Sequence, residues 1–236
     1  MSIYSLKERR LQKSLNELSR TCSVLKKRLS GLLKNSVRAM LAALEVRDAY
    51  THGHVVRGSL YALMLGRALK LPREKLIQLE LGALLHDIGK IGIPDHILFK
   101  PGPLTREEYE IMKRHPMISA KIIASIGSLK PVVPVVRHHQ ERIDGKGYPD
   151  GLKDGEIPLL ARIVYISDAF DAMTTDRPYR KAMSEKSALE ELERHAGTQF
   201  DAKLTSLFIR EYKRKKHLPY HSEFFPEKKS KQAIGE

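Results

Sequence analysis

Leu79-Glu80-Leu81-Gly82-Ala83-Leu84-Leu85-His86-Asp87-Ile88-Gly89-Lys90, residues 79–90, is the stretch on which the reading of this chain turns. An apolar run closes on His86-Asp87, and an unpaired aspartate beside a histidine among leucines is costly to bury. A cation bound by both side chains removes that cost. A carboxylate has two oxygens, so Asp87 can also bridge a pair of ions and hold them roughly 3.5–4 Å apart.

Working outward, the chain contains ten histidines in 236 residues, unevenly placed. His54, His86, His115 and either His138 or His139 join Asp87 and Asp168 as metal-ligand candidates, because His115 starts a helix and Asp168 sits inside an apolar one. A histidine taken singly is more often a core or capping residue, and His52, His96, His195, His217 and His221 are left in that class. Nitrogen and carboxylate donors without thiolates suit Fe, Mn, Zn or Ni rather than a structural zinc. Cys22 is the only cysteine, which excludes both an intrachain disulfide framework and a Cys-rich zinc site.

Around this centre the pattern is helical. Apolar residues at helical spacing mark 36–50, 54–70, 73–86, 105–114, 116–126, 131–142 and 158–173, with two more helices expected at 184–195 and 201–216. Pro72, Pro116, Pro131 and Pro158 stand at or near helix starts, where a missing N–H costs nothing. Thr105-Arg106-Glu107-Glu108 has the form of a capping box. The Gly/Pro-rich stretches 91–103 and 144–158 read as ordered loops. No β-alternation is long enough to matter, so the fold class is all-α.

Ahead of this domain, Leu11, Leu15, Leu18, Cys22, Leu25, Leu29 and Leu32 recur in steps of four and three, the a/d seam of a coiled coil. A homodimer through residues 11–32 is the natural expectation; the alternative is one amphipathic helix packed on its own domain, which Gly31 and the short run keep open. The expected organisation is a helical linker at 1–35, a catalytic domain at 36–216 and a loose, basic tail at 217–236. The net charge of +14 sits at the ends: residues 1–35 carry nine Lys/Arg against two acids, and 210–236 carry eight against four. The nearly balanced middle argues against a nucleic-acid groove. No run of about 18 apolar residues spans a membrane, and the start lacks a secretory signal's apolar stretch, so a cytoplasmic setting is expected.

Several motifs, in order, give the domain a family. His86-Asp87-Ile88-Gly89-Lys90-Ile91-Gly92-Ile93-Pro94-Asp95 resembles the HD-GYP subgroup of HD-domain phosphohydrolases. So do Lys100-Pro101-Gly102-Pro103-Leu104-Thr105, the name-giving Asp144-Gly145-Lys146-Gly147-Tyr148-Pro149, Asp168-Ala169-Phe170-Asp171 and Asp176-Arg177-Pro178-Tyr179-Arg180. The resemblance runs from about Arg47 to Asp201 and implies an HD-domain helical bundle that cleaves cyclic di-GMP to pGpG, or onward to GMP, with iron or manganese. It implies His54, His86, Asp87, His115, His139 and Asp168 as ligands, with Asp87 bridging. Lys90 would reach a phosphate oxygen, Arg177 and Arg180 would hold phosphates, and Tyr148 would pack near the substrate. A water shared by the two ions would lose its proton and attack phosphorus in line with the departing 3′-oxygen; no residue identifies itself as the leaving-group acid.

Two departures from the family pattern point the same way. A Glu expected four residues before His54 is Tyr50, and counting back from Tyr148 puts Gln140 where a second histidine is expected. Both losses fall on a third metal, so two divalent ions are expected, Fe or Mn favoured and Zn or Ni acceptable. Such a site could stop at pGpG. A one-residue shift that makes His138-His139 the pair is the rival reading; helical neighbours differ by about 100°, so both cannot face one ion alike. Two other functions stay open: an HD phosphohydrolase for another nucleotide such as cyclic GMP-AMP, and a non-catalytic cyclic dinucleotide receptor whose GYP loop docks a diguanylate cyclase (GGDEF) domain.

Overall fold

The computed structural model describes residues 3–47, 49–176, 181–214, 222 and 224, without the side chains of 3–6 and 49–52. Arg177 and Arg180, the expected phosphate-holding pair, therefore lie outside the described residues, as does the side chain of Tyr50. Ten α-helices carry the described residues: α1 (Ile3–Arg47), α2 (Ala49–Ala68), α3 (Arg73–Leu85), α4 (Asp95–Leu98), α5 (Arg106–Met112), α6 (His115–Ala124), α7 (Val133–His138), α8 (Leu159–Thr174), α9 (Glu185–Arg194) and α10 (Ala202–Arg214). Among the described residues the only β-pairing is an isolated bridge between Ala196 and Phe200. The fold is all-α, and no described helix is long and apolar enough to cross a membrane.

The chain divides into compact units at 1–40 and 41–236. In the first, the helices expected at 11–32 and from Ser36 run together as part of α1. No proline interrupts them, and Gly31 costs only about 1 kcal/mol relative to alanine, which its helical neighbours absorb. The leucines of the a/d seam are exposed, Leu18 by 67% and Leu29 by 67%.

In the second unit, α2 and α8 pack together and on α3, α9 and α10 around a core that includes Leu65, Leu79, Ile163, Phe170, Leu192 and Phe208. Tyr61, Phe170, Phe208 and Tyr212 form an edge-to-face aromatic cluster in it. Burying a Leu- or Phe-sized side chain contributes about 1.5–3 kcal/mol, so α2 and α8, which carry His54 and Asp168, and α3, which leads into His86-Asp87, are held by this core. Thr105 caps α5 with a reciprocal pair of bonds to Glu108, as its sequence predicts.

Three segments differ from their sequence reading. The stretch 91–103, read as a loop, contains the short helix α4 (Asp95–Leu98). The helix expected to run to Arg142 ends at His138, because the chain turns there so that Tyr148 N–H can donate to the Gln140 carbonyl. Ser222 and Phe224, within the polar tail, are buried, and both donate to the buried carboxylate of Glu80 on α3. Polar composition around them gave no sign of this docking.

Candidate metal centre

α3 ends at Leu85, and the chain passes through His86 and Asp87 into a 3-10 turn at Ile88–Gly92. Asp87 takes φ −96°, ψ 3°, a sparsely populated conformation common at active sites. The turn is tied to α6 by Ser119, whose hydroxyl donates to the His86 carbonyl at 2.6 Å and accepts from Gly89 N–H at 2.8 Å. Gly89 is needed there: a Cβ would stand 2.1 Å from the His115 carbonyl oxygen. One close contact thus fixes the spacing between the His86-Asp87 corner and the helix that begins with His115.

Six side chains converge on this corner. Asp87 turns Oδ1 toward His115 Nε2 at 3.3 Å and His139 Nε2 at 3.9 Å, and Oδ2 toward His86 Nε2 at 3.4 Å. His54 Nε2 lies 2.7 Å from Asp168 Oδ1, which is 3.5 Å from His86 Nε2. Two groups able to hold an ion result, His54/His86/Asp87 and Asp87/His115/His139, and Asp87 belongs to both. Each of its oxygens faces one half.

The histidines are locked in a telling orientation. Nδ1 of His86, His115 and His139 lies 2.8, 2.9 and 2.8 Å from the carbonyls of Ala83, Met112 and Val136 respectively. A carbonyl only accepts, so each Nδ1 carries a proton and each ring, when neutral, directs its Nε2 lone pair inward. His115 Nε2 and His139 Nε2 then face each other at 3.2 Å with no proton to share. Two opposed lone pairs repel unless a cation lies between them. This is the observation on which the fit to a metal rests: two donors each ~2.1 Å from one ion stand about this far apart.

Charges follow the same logic. Burial pushes Asp87 toward protonation, but Lys90 and His86 beside it hold its carboxyl well below the usual carboxylate range; Lys90 Nζ is 2.6 Å from Oδ2. Burial likewise opposes ionisation of Asp168, and hydrogen bonds with His54 and His86 outweigh it. Burial disfavours charge on His86 too, yet Asp87 and Asp168 raise its pKa to about 10. Without an ion, a proton on His86 balances the acids. Its Nε2 is buried and 3.4–3.5 Å from either carboxylate, at the limit of hydrogen-bonding reach. Burial lowers the pKa of His115 and, with His86 and His115 nearby, drives that of His139 well down. These rings are neutral and ready to coordinate.

Tyr148 lies at the edge of the centre, its ring centroid 6.2 Å from that of His115 and 6.4 Å from that of Tyr109. Burial and the neighbouring Tyr109 and Asp87 push its hydroxyl pKa up, so it stays a neutral phenol. The loop that carries it is anchored by Glu141, whose buried carboxylate accepts from the N–H groups of Asp150, Gly151 and Leu152. Gly147 passes close to this segment; a Cβ would stand 2.3 Å from Arg142 N.

The structure brings together His54, His86, Asp87, His115, His139 and Asp168, with Lys90 and Tyr148 beside them. His138 does not join them. Its Nδ1 faces Asp150 at 3.5 Å, and Arg137 holds that aspartate in a two-pronged ion pair. Sequence reasoning gave no role to Ser119, Arg57 or Asp171, although Asp171 closes one of the motifs quoted above. Nothing in the pattern marks Ser119, whereas an aspartate three residues after Asp168 on an apolar helix was a legible sign.

A family model described as HD domain matches residues 23–204. Cyclic di-GMP phosphodiesterase response regulator RpfG of Xanthomonas campestris pv. campestris is 40% identical over 182 residues, 75% of this chain and 47% of that protein. Cyclic di-GMP phosphodiesterase PA4108 of Pseudomonas aeruginosa is 40% identical over 171 residues, 72% of this chain and 41% of that protein. The chain thus spans less than half the length of either relative. A crystal structure of a cyclic GMP-AMP specific phosphodiesterase of Vibrio cholerae, V-cGAP3, superposes with a TM-score of 0.62 at 19% identity, covering 78% of this chain and 49% of that one, a likeness of fold.

Proposed function

The chain belongs to the HD-domain family, in its HD-GYP subgroup, and from that premise we propose that it is a phosphodiesterase that opens a cyclic dinucleotide, cyclic di-GMP, at a two-metal centre. The observation that carries the reading is the shared carboxylate: Asp87 offers one oxygen to each of two donor groups. His54, His86, Asp168 and Asp87 would hold one divalent ion, and His115, His139 and Asp87 the other. Iron or manganese suits this mixture of imidazole and carboxylate, and zinc or nickel would also be accepted. When bound, the ions supply Lewis acidity and an activated water at neutral pH.

The remaining work falls to the chain's own residues. Lys90, 2.6 Å from Asp87, would share that carboxylate with bound cations and could then turn to a nonbridging phosphate oxygen, where charge grows in the transition state. Tyr148, a neutral phenol on an anchored loop, would line the substrate's side of the centre. Arg177 and Arg180 remain candidates for the phosphates. The departures at Tyr50 and Gln140 support a pair of ions rather than three, and pGpG rather than GMP as the product. The seam in α1 supports a second copy of this chain as partner, with residues 1–35 as the linker and 36–216 as the catalytic domain.

Cyclic GMP-AMP is the second reading of the substrate, since V-cGAP3 shares the fold and no described residue is committed to reading guanine. Both are tested by turnover of the chain loaded anaerobically with Fe(II) or Mn(II) against cyclic di-GMP, 3′3′-cyclic GMP-AMP and cyclic di-AMP. Cyclic di-GMP should be opened fastest and accumulate as pGpG. Preference for another dinucleotide would reassign the substrate, rapid conversion to GMP would sink the product assignment, and no turnover of any would favour a receptor.

A further inference from the structure

Three of the four inward-facing histidines are oriented by a neutral backbone carbonyl three residues earlier, but His54 is not. Its Nδ1 lies 2.6 Å from Oδ2 of Asp171, a fully buried carboxylate. Asp171 stands three residues after Asp168 on α8, so both acids project from one face of that helix. His54 is therefore bracketed, with Asp168 at Nε2 and Asp171 at Nδ1, 2.7 and 2.6 Å away.

Asp171 is itself clamped. Arg57, one turn after His54 on α2, donates Nε to Oδ1 at 2.7 Å and a terminal nitrogen to Oδ2 at 2.9 Å, and reaches the Thr175 hydroxyl at 3.0 Å. Planar, two-pronged pairing of this kind fixes a carboxylate in both position and plane. It also balances the acid's charge, so Asp171 can hold the ring through its Nδ1–H both when Nε2 carries a proton for Asp168, as the 2.7 Å contact requires without an ion, and when Nε2 turns its lone pair to an ion. Arg57 and Asp171 form a complete ion pair without His54. That the histidine is added to it, on a helix across from α8, indicates a task beyond bracing the helices.

We propose that Asp171 is a positioning residue for metal binding: clamped by Arg57, it fixes His54 with its Nε2 lone pair inward and strengthens the ion site formed by His54 and Asp168, leaving the His115/His139 site to neutral carbonyls. This rests on the two-metal reading above. A carboxylate behind a ligating imidazole sets the tautomer and raises ligand basicity, and loss of such a partner weakens metal affinity by about 10–100-fold. The two halves of the centre are thus unequal in what holds their ligands, and a change at Asp171 should act on only one.

The test is an anaerobic Mn(II) titration of the full chain, followed by the electron paramagnetic resonance of free Mn(II). Wild type should take up two ions per chain. Asp171→Asn should keep one at unchanged affinity and bind the other about 10–100-fold more weakly, with Asp171→Ala at least as weak. A merely structural role would lower the melting temperature of the metal-free variant without splitting the two affinities. Two ions bound by Asp171→Asn as tightly as by wild type would overturn the proposal while leaving the two-metal reading intact. A wild-type chain that takes up no Mn(II) would overturn both. Should the variants fail to fold, long-range ¹H–¹⁵N spectra of the wild type with diamagnetic Zn(II) decide: His54 protonated on Nδ1 and metallated on Nε2 supports the proposal, and metallation on Nδ1 ends it.

Discussion

At the scale of single residues, Asp87 bears the most weight, because its two oxygens face different histidines. Asp87→Asn removes the shared charge and the buried acid together, so the fold should survive while the proposed pair of ions would lose its bridge. Metal-ion stabilisation of a transition state is worth several kcal/mol, and each ~1.4 kcal/mol is tenfold in rate. Turnover should therefore drop by about 10³-fold, with helical circular dichroism retained; a variant with near wild-type turnover would remove Asp87 from the centre. His86 gives a pH prediction. Its pKa, raised to about 10, lies above the ordinary histidine value of about 6.5, so the metal-free site binds a proton at neutral pH that an incoming ion must displace. Metal affinity should therefore rise with pH, by about tenfold per unit below pH 10. Mn(II) titrations at pH 6, 7 and 8 check the sign, and a flat profile would mean that His86 is already neutral.

At the scale of elements, the centre depends on how closely the 3-10 turn at Ile88–Gly92 approaches α6. Gly89→Ala would place a methyl 2.1 Å from the His115 carbonyl and 2.5 Å from Ser119 N, backbone atoms that cannot turn aside. Overpacking of this kind costs about 1–3 kcal/mol, and here relief can come only from moving the start of α6 and His115 with it. The variant should melt lower and lose affinity at the His115/His139 half; a wild-type affinity would show that α6 has slack. Thr105→Ala is the contrasting case. It removes the hydroxyl that caps α5, at a cost of about 1 kcal/mol, which lowers the melting temperature of a domain this size by about 2–4 °C. Metal uptake should not change, because α5 supplies no ligand. A calorimetric scan beside a Mn(II) titration separates the two effects.

At the scale of the whole molecule, the exposed leucines of α1 bear on assembly. Leu18 and Leu25 are 67% and 58% exposed in the single chain, and a narrow a/d stripe of this kind has the spacing of a coiled-coil seam. Sedimentation velocity of the full chain should show a dimer, and Leu18→Lys with Leu25→Lys should give a monomer that still loads two ions; a monomeric wild type would sink the dimer. Much of the molecule was legible in its sequence. Helical periodicity gave an all-α fold, and the corner at His86-Asp87 pointed to the candidate centre, because a buried acid beside a histidine needs a partner wherever it lies. Ordered motifs gave the family and named the six residues that converge. What the sequence could not decide was long-range. His138 and His139 are equivalent until α7 turns, since adjacent helical positions differ by about 100°, and only the packed helix shows His139 facing Asp87 while His138 faces Asp150. Ser119 on α6, which bonds the His86 carbonyl, and Asp171 on α8, which bonds the His54 ring, lie 33 and 117 residues from those histidines. Local propensity has no hold on such distances; packing of the core alone brings these groups within hydrogen-bonding reach.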